Sequence, residues 1–219
     1  VLLGGSTQRA LSADDSITSE LDYDYREFVY WLKRASDEKK IPGAALAIVS
    51  REGIMYLQTW GLGDVSNQER VTNDTVFRIA SMSKTFAGAA AALLVEQDLQ
   101  SWDTKIRDVF PDLQIGNKSS SRDITLKHVV SHSTGLMPHS YSNMLDDGVV
   151  YEKIRNKFHQ IPTVCSPGEC YGYQNVIFSL IADVVENSTN ISYEEFLSEE
   201  IFKQLGMTSA SVGMDAFVN

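Results

Sequence analysis

Ser81 and Lys84 stand three residues apart in Phe77-Arg78-Ile79-Ala80-Ser81-Met82-Ser83-Lys84-Thr85-Phe86. On a helix, that spacing stacks two side chains on one face, about one turn apart. A serine that opens such a helix sits among unpaired backbone N–H groups, at the positive end of the helix dipole. It becomes a nucleophile if a neighbour takes its proton, and Lys84 is within reach. A lysine does this only when burial or a nearby charge favours its neutral form. The small-residue run over residues 87–95 predicts a tightly packed interior helix that would desolvate the lysine. Taken alone, Ser-x-x-Lys more often marks an N-cap serine followed by a solvated lysine.

A second group of polar side chains follows at Tyr173-Gln174-Asn175, between a Pro-Gly loop and an apolar stretch. A tyrosine there could hold its hydroxyl near a serine as acid, base or proton relay. The adjacent amide of Asn175 could hydrogen-bond both a lysine and a substrate carbonyl. The plain alternative is a packed aromatic ahead of a helix capped by Asn175. Just upstream lie the two cysteines of the chain, Cys165 and Cys170. No His or Cys cluster accompanies them, so a zinc site is not expected. A short-loop disulfide is preferred over free thiols, and it points to an extracytoplasmic protein.

The elements that must position these groups can be read in order. Residues 1–20 are polar and predict a mobile arm. Residues 25–39 predict an amphipathic helix, with Phe28, Trp31, Leu32 and Ala35 on one face. A buried strand over 44–50, a turn at Arg51-Glu52-Gly53 and a returning strand over 54–60 predict a hairpin, broken by Gly61-Leu62-Gly63-Asp64. The long helix after Ser81 runs to about Asp98. A short helical or irregular segment is expected near 102–111 and a helix over 124–130, capped by Thr125. Residues 131–136 form a loop and 137–148 are irregular. Further helices are expected over 151–159, 175–186 and 193–205, with 206–219 as loop. These patterns divide the chain into an arm (1–20), an N-terminal helix and hairpin (21–64), a helical lobe (65–205) and a connection (206–219). A lone hairpin is marginal in water, so the expectation is either that helices cover it or that further strands lie beyond residue 219.

Composition sets the outer limits. The 219 residues are 43% hydrophobic and 22% charged, an ordinary globular balance with room for a sizeable core. The net charge of −10 argues against nucleic acid or anionic membrane as partner. No run approaches the ~18 apolar residues of a membrane span. The N-terminus lacks the basic-then-apolar pattern of a secretion signal.

Three stretches, taken in order, carry a resemblance. They are Ser81-Met82-Ser83-Lys84, then Val130-Ser131-His132-Ser133-Thr134-Gly135-Leu136, then Pro167-Gly168-Glu169-Cys170-Tyr171-Gly172-Tyr173-Gln174-Asn175. Together they resemble the serine β-lactamase and penicillin-binding-protein superfamily, in its branch of class C β-lactamases, D,D-peptidases and esterases. Leu205-Gly206-Met207-Thr208 resembles another recurring family segment. The resemblance implies an α/β, β-lactamase/transpeptidase-like fold: a helical lobe packed on an antiparallel sheet, the sheet incomplete in this chain.

It also implies roles. Ser81 would be the acylated nucleophile, Lys84 would assist proton transfer, and Tyr173 would be the partner acid or base. Asn175 would orient substrate and lysine. The Ser81 backbone N–H would be one oxyanion donor. Tyr173 is preferred over Tyr171 because an asparagine follows two positions later. His132 is expected to buttress the helical lobe. The family's third motif, Lys/His-x-Gly on a later strand, is not recognisable: Lys127, Lys153, Lys157 and Lys203 lie in helical patterns without a following Thr-Gly. The expectation is therefore a fragment, or a divergent member. The function implied is a serine hydrolase forming an acyl-enzyme on Ser81 with a peptide, ester or β-lactam substrate. The alternative is a catalytically idle member that binds or scaffolds. No metal or organic cofactor is implied, and the expected location is periplasmic or secreted.

Overall fold

The structure is a computed structural model that describes residues 23–117 and 119–218. The expected arm, residues 1–20, lies outside the described residues. The chain divides into two compact units, residues 1–77 and 78–219.

The first unit begins with helix α1 (Tyr23–Glu38). Its apolar face is not buried. Phe28 and Trp31 are exposed and stack on each other, with ring centroids 6.2 Å apart. Strands β1 (Gly43–Ser50) and β2 (Gly53–Asp64) form the expected antiparallel hairpin, closed by the pair Ser50↔Gly53. Three expectations need correction here. β1 is half-buried on one face only, and Val49 is exposed. β2 does not break at Gly61; it continues to Asp64. The reason is close backbone approach: a Cβ on Gly61 would stand 2.1 Å from the Pro42 carbonyl oxygen. Glycine lets the strands meet there, and Leu62 N–H donates to that same oxygen. The third correction is an added strand, β3 (Glu69–Arg70), which pairs with β2 at Leu62↔Arg70.

The second unit is helical. It contains α2 (Ser83–Glu96), α3 (Ile106–Val109), α4 (Leu126–Val130), α5 (Ser142–Asp146), α6 (Tyr151–Arg155), α7 (Asn175–Phe178), α8 (Leu180–Thr189), α9 (Tyr193–Leu197) and α10 (Met214–Val218). Ala87, Ala90, Ala91 and Leu94 of α2 are buried, as the small-residue run predicts. Small side chains let α2 lie close to α8, whose Leu180, Ile181, Val184 and Val185 complete the centre of the core. Thr125 caps α4 in a reciprocal box: His128 N–H donates to the Thr125 hydroxyl, and Thr125 N–H donates to His128 Nδ1.

Helix lengths differ from the sequence expectation. The stretch 175–186 is not one helix. It is interrupted at Ser179, whose hydroxyl and N–H both donate back to the Asn175 carbonyl. Similarly, α6 stops at Arg155, and Phe158–Gln160 form a separate 3₁₀ turn. The helix expected over 193–205 gives way after Leu197 to a π turn, Ser198–Phe202. Two stretches expected to be irregular carry short helices instead, α5 and α10. Among the described residues no helix is long and apolar enough to cross a membrane.

Candidate active site

Ser81 does not open α2. It sits in a 3₁₀ turn, Ala80–Met82, immediately before it. Ala80 adopts φ 47°, a left-handed conformation that costs an alanine about 1–2 kcal/mol. The turn leaves Ser81 exposed and keeps Lys84, one turn on, half-buried beneath it. Backbone donors at such a helix start have no intrahelical acceptor, so the Ser81 N–H is available to a ligand.

Tyr173 and Asn175 come from the other side of the same unit. Gln174 is extended, at the N-cap of α7, and Asn175 is the first residue of that helix rather than its cap. The Asn175 side chain is thereby free to turn inward. Ser81 Oγ lies 2.7 Å from the Tyr173 hydroxyl. Lys84 Nζ donates to Ser81 Oγ at 3.4 Å and to Asn175 Oδ1 at 2.8 Å. The same ammonium stands 4.9 Å from the centre of the Tyr173 ring and 5.4 Å from that of Phe178. The structure thus brings together all four side chains, across 91 and 92 residues of sequence. The Lys84 ammonium and the Ser81 hydroxyl hold the Tyr173 phenol below the ordinary phenol range. Tyr171, two residues earlier, points away: it is 70% exposed.

Two loops support Tyr173. Cys165 and Cys170 are joined in a disulfide. The loop they span is tied to residues 133–135 by Gly168 N–H to Ser133 O at 2.7 Å and Cys165 N–H to Gly135 O at 3.3 Å, and Val164 just before it donates to Gly135 O at 2.8 Å. Gln174 is buried and its side-chain amide donates to the Met137 carbonyl. His132 and His139 flank the Tyr173 ring, at 4.5 and 5.6 Å between centroids. His139 was not singled out from the sequence. It lies in a stretch read as irregular, it is exposed, and the left-handed backbone at that position (φ 58°) has no sequence signal there.

A cleft of about 480 Å³ elsewhere in the unit is lined by Phe110, Arg155 and His159 and by none of the four residues. Among the described residues no cluster of His, Cys, Asp or Glu could hold a metal ion. The strands described carry no Lys/His-x-Gly sequence.

Residues 28–217 match the family model for beta-lactamases. The chain belongs to the beta-lactamase family. The Unguisins hydrolase ungD of Aspergillus violaceofuscus is 25% identical over 206 residues, covering 90% of this chain and 35% of that protein. Beta-lactamase-like protein 2 of Dictyostelium discoideum is 26% identical over 203 residues, covering 87% of this chain and 36% of that protein. The chain therefore spans about a third of the length of these curated relatives. Among solved structures, an octameric penicillin-binding protein homologue from Pyrococcus abyssi superposes with a TM-score of 0.76 at 24% identity. That match covers 85% of this chain and 44% of the other. A class C beta lactamase gives 0.75 at 23% identity, over 91% and 55%. These likenesses establish a β-lactamase/transpeptidase-like fold, helical with a small antiparallel sheet. Family membership supports serine hydrolase chemistry at the level of the superfamily.

Proposed function

We propose that Ser81 is the nucleophile of an acyl hydrolase acting on a peptide, ester or β-lactam carbonyl. The observation that carries this reading is the chain of contacts Tyr173–Ser81–Lys84–Asn175. In the acylation step, Ser81 Oγ bonds to the acyl carbon as its proton passes to Tyr173, which the lysine favours in its ionised form. The oxyanion that develops is met by the Ser81 N–H. The bond to the leaving amine or alkoxide then breaks, and Tyr173 returns the proton to it. Water reverses the sequence and frees the acid. Asn175 holds Lys84 in register and offers its amide to substrate. The hydrolase named among the relatives agrees with this class of reaction. The disulfide favours a periplasmic or secreted setting.

Intact-mass spectrometry tests the reading. The chain is incubated with a penicillin and, separately, with a fluorophosphonate, beside Ser81→Ala and Tyr173→Phe. One adduct on the wild type, absent from Ser81→Ala and slowed about 10²–10⁴-fold in Tyr173→Phe, is expected. Absence of any adduct on the wild type would refute the enzymatic reading for this chain and favour the binding role.

A further inference from the structure

A phenol that exchanges a proton with Ser81 must be held at hydrogen-bond distance, and one residue does most of the holding. The His132 carbonyl accepts the Gly172 N–H at 2.8 Å. Its ring Nδ1 accepts the Gln174 N–H at 3.3 Å. The donors on both sides of Tyr173 thus end on His132, while the Tyr173 carbonyl accepts the His139 N–H at 2.9 Å. The imidazole also covers the phenol ring, centroids 4.5 Å apart and planes 35° apart. It also meets Phe178, at 4.9 Å, and Tyr171, edge-on at 6.0 Å. His132 itself adopts φ 55°, and its N–H is anchored on the Val129 carbonyl. Only one protonation state fits: a bare Nδ1, with the proton on Nε2.

We propose that neutral His132 is the positioning residue of Tyr173, and that protonating its imidazole releases the phenol from Ser81. This rests on the reading of Ser81 and Tyr173 as the reacting pair. Protonation would turn Nδ1 into a donor facing the Gln174 N–H and strand that buried amide. The titratable groups facing the imidazole are Lys84 from α2, and Tyr171 and Tyr173 from the segment after the disulfide; Phe178 of α7 adds an apolar face. None of these is a carboxylate that would welcome an imidazolium. Burial and the Lys84 charge accordingly push His132 below the ordinary imidazole range.

Two variants separate ring from acceptor. His132→Phe keeps the ring and loses the acceptor. His132→Asn loses the ring, keeps an acceptor oxygen near Nδ1, and tolerates the left-handed backbone. On the ¹⁵N-labelled chain, imidazole nitrogen shifts at neutral pH should show Nδ1 unprotonated. Exchange of the Gln174 amide should be about tenfold faster in His132→Phe than in wild type or His132→Asn. Fluorophosphonate labelling of Ser81 should slow about tenfold in His132→Phe, yet change little when the same substitution is made in Tyr173→Phe. Wild type should show, on top of the fall that Tyr173 itself imposes, a further acid-side loss of labelling as His132 protonates, and His132→Asn should lack that further loss. A proton on Nδ1, or an equal slowing in both backgrounds, overturns the proposal. If Ser81 labels in no variant, the hydrolase reading fails, while the nitrogen shifts and amide exchange still decide whether His132 holds Tyr173. If His132→Phe does not fold, wild type and His132→Asn decide alone.

Discussion

Gly135 is the position where a single methyl group should do most harm. It lies at φ +78°, and a Cβ there would stand 2.3 Å from the Cys165 carbonyl oxygen, about 1 Å short of ordinary contact. The obstacle is backbone, so no side-chain rotation relieves it. Gly135→Ala must push residues 132–136 away from the disulfide loop. The left-handed backbone costs an alanine about 1–2 kcal/mol. The Gly135 carbonyl accepts from Val164 N–H at 2.8 Å and Cys165 N–H at 3.3 Å. Losing those two bonds adds about 1 kcal/mol each. The expected loss is about 3–4 kcal/mol. Gly148 provides the control, because its φ is +73° and no atom lies within 4 Å of its would-be Cβ. Gly148→Ala should cost only the backbone part, about 1–2 kcal/mol. Urea unfolding followed by far-ultraviolet circular dichroism, with unchanged m-values, measures both. Equal losses in the two variants would refute the close approach of the two loops. A folded Gly135→Ala should also label Ser81 more slowly, since that contact continues to Tyr173 through the bond from Gly172 N–H to His132 O.

Three further outcomes follow from the same unit. His128 and His132 are both held below the ordinary imidazole range, chiefly by burial, with Lys127 and Lys84 adding to it. The folded state therefore binds fewer protons than the unfolded one as the solution is acidified. Stability should be full above about pH 6.5 and should decline as pH falls from there through the depressed folded values, a slope that His128→Asn and His132→Asn together should flatten. Thiol titration of the unfolded, unreduced chain should find no free thiol. Cys165→Ser with Cys170→Ser should lower stability by about 2 kcal/mol, the closure entropy of so short a loop.

Local signals were strong where one element decides the outcome. The alanine run predicted the buried face of α2, Thr125 predicted a cap, and Arg51-Glu52-Gly53 predicted the hairpin turn. The ordered motifs from Ser81 to Asn175 predicted the fold. What failed were long helices. Residues 151–159, 175–186 and 193–205 keep a helical pattern, yet each is interrupted: Phe158, Ile201 and Phe202 are buried in a core built from segments distant in sequence, and at Ser179 the hydroxyl bonds back locally to the Asn175 carbonyl. The glycines at 61 and 63 read as a strand break, but β2 continues through both, with Gly61 admitting the close approach of the Pro42 carbonyl.

The same division runs through the site. The sequence named Ser81, Lys84, Tyr173 and Asn175 through the order of its motifs and their resemblance to the family; residue type and short spacing alone left an N-cap serine and a packed aromatic as the plainer readings. It also favoured Tyr173 over Tyr171, through the asparagine that follows. Tertiary structure decided the rest: that Ser81 stands before its helix in a 3₁₀ turn, that Asn175 points to Lys84 rather than capping α7, and that His132 and His139 enclose the phenol. Those facts depend on left-handed backbone at Ala80, His132 and His139, and on bonds spanning dozens of residues. Such conformations are stabilised by packing against distant segments, and local propensity carries no record of it.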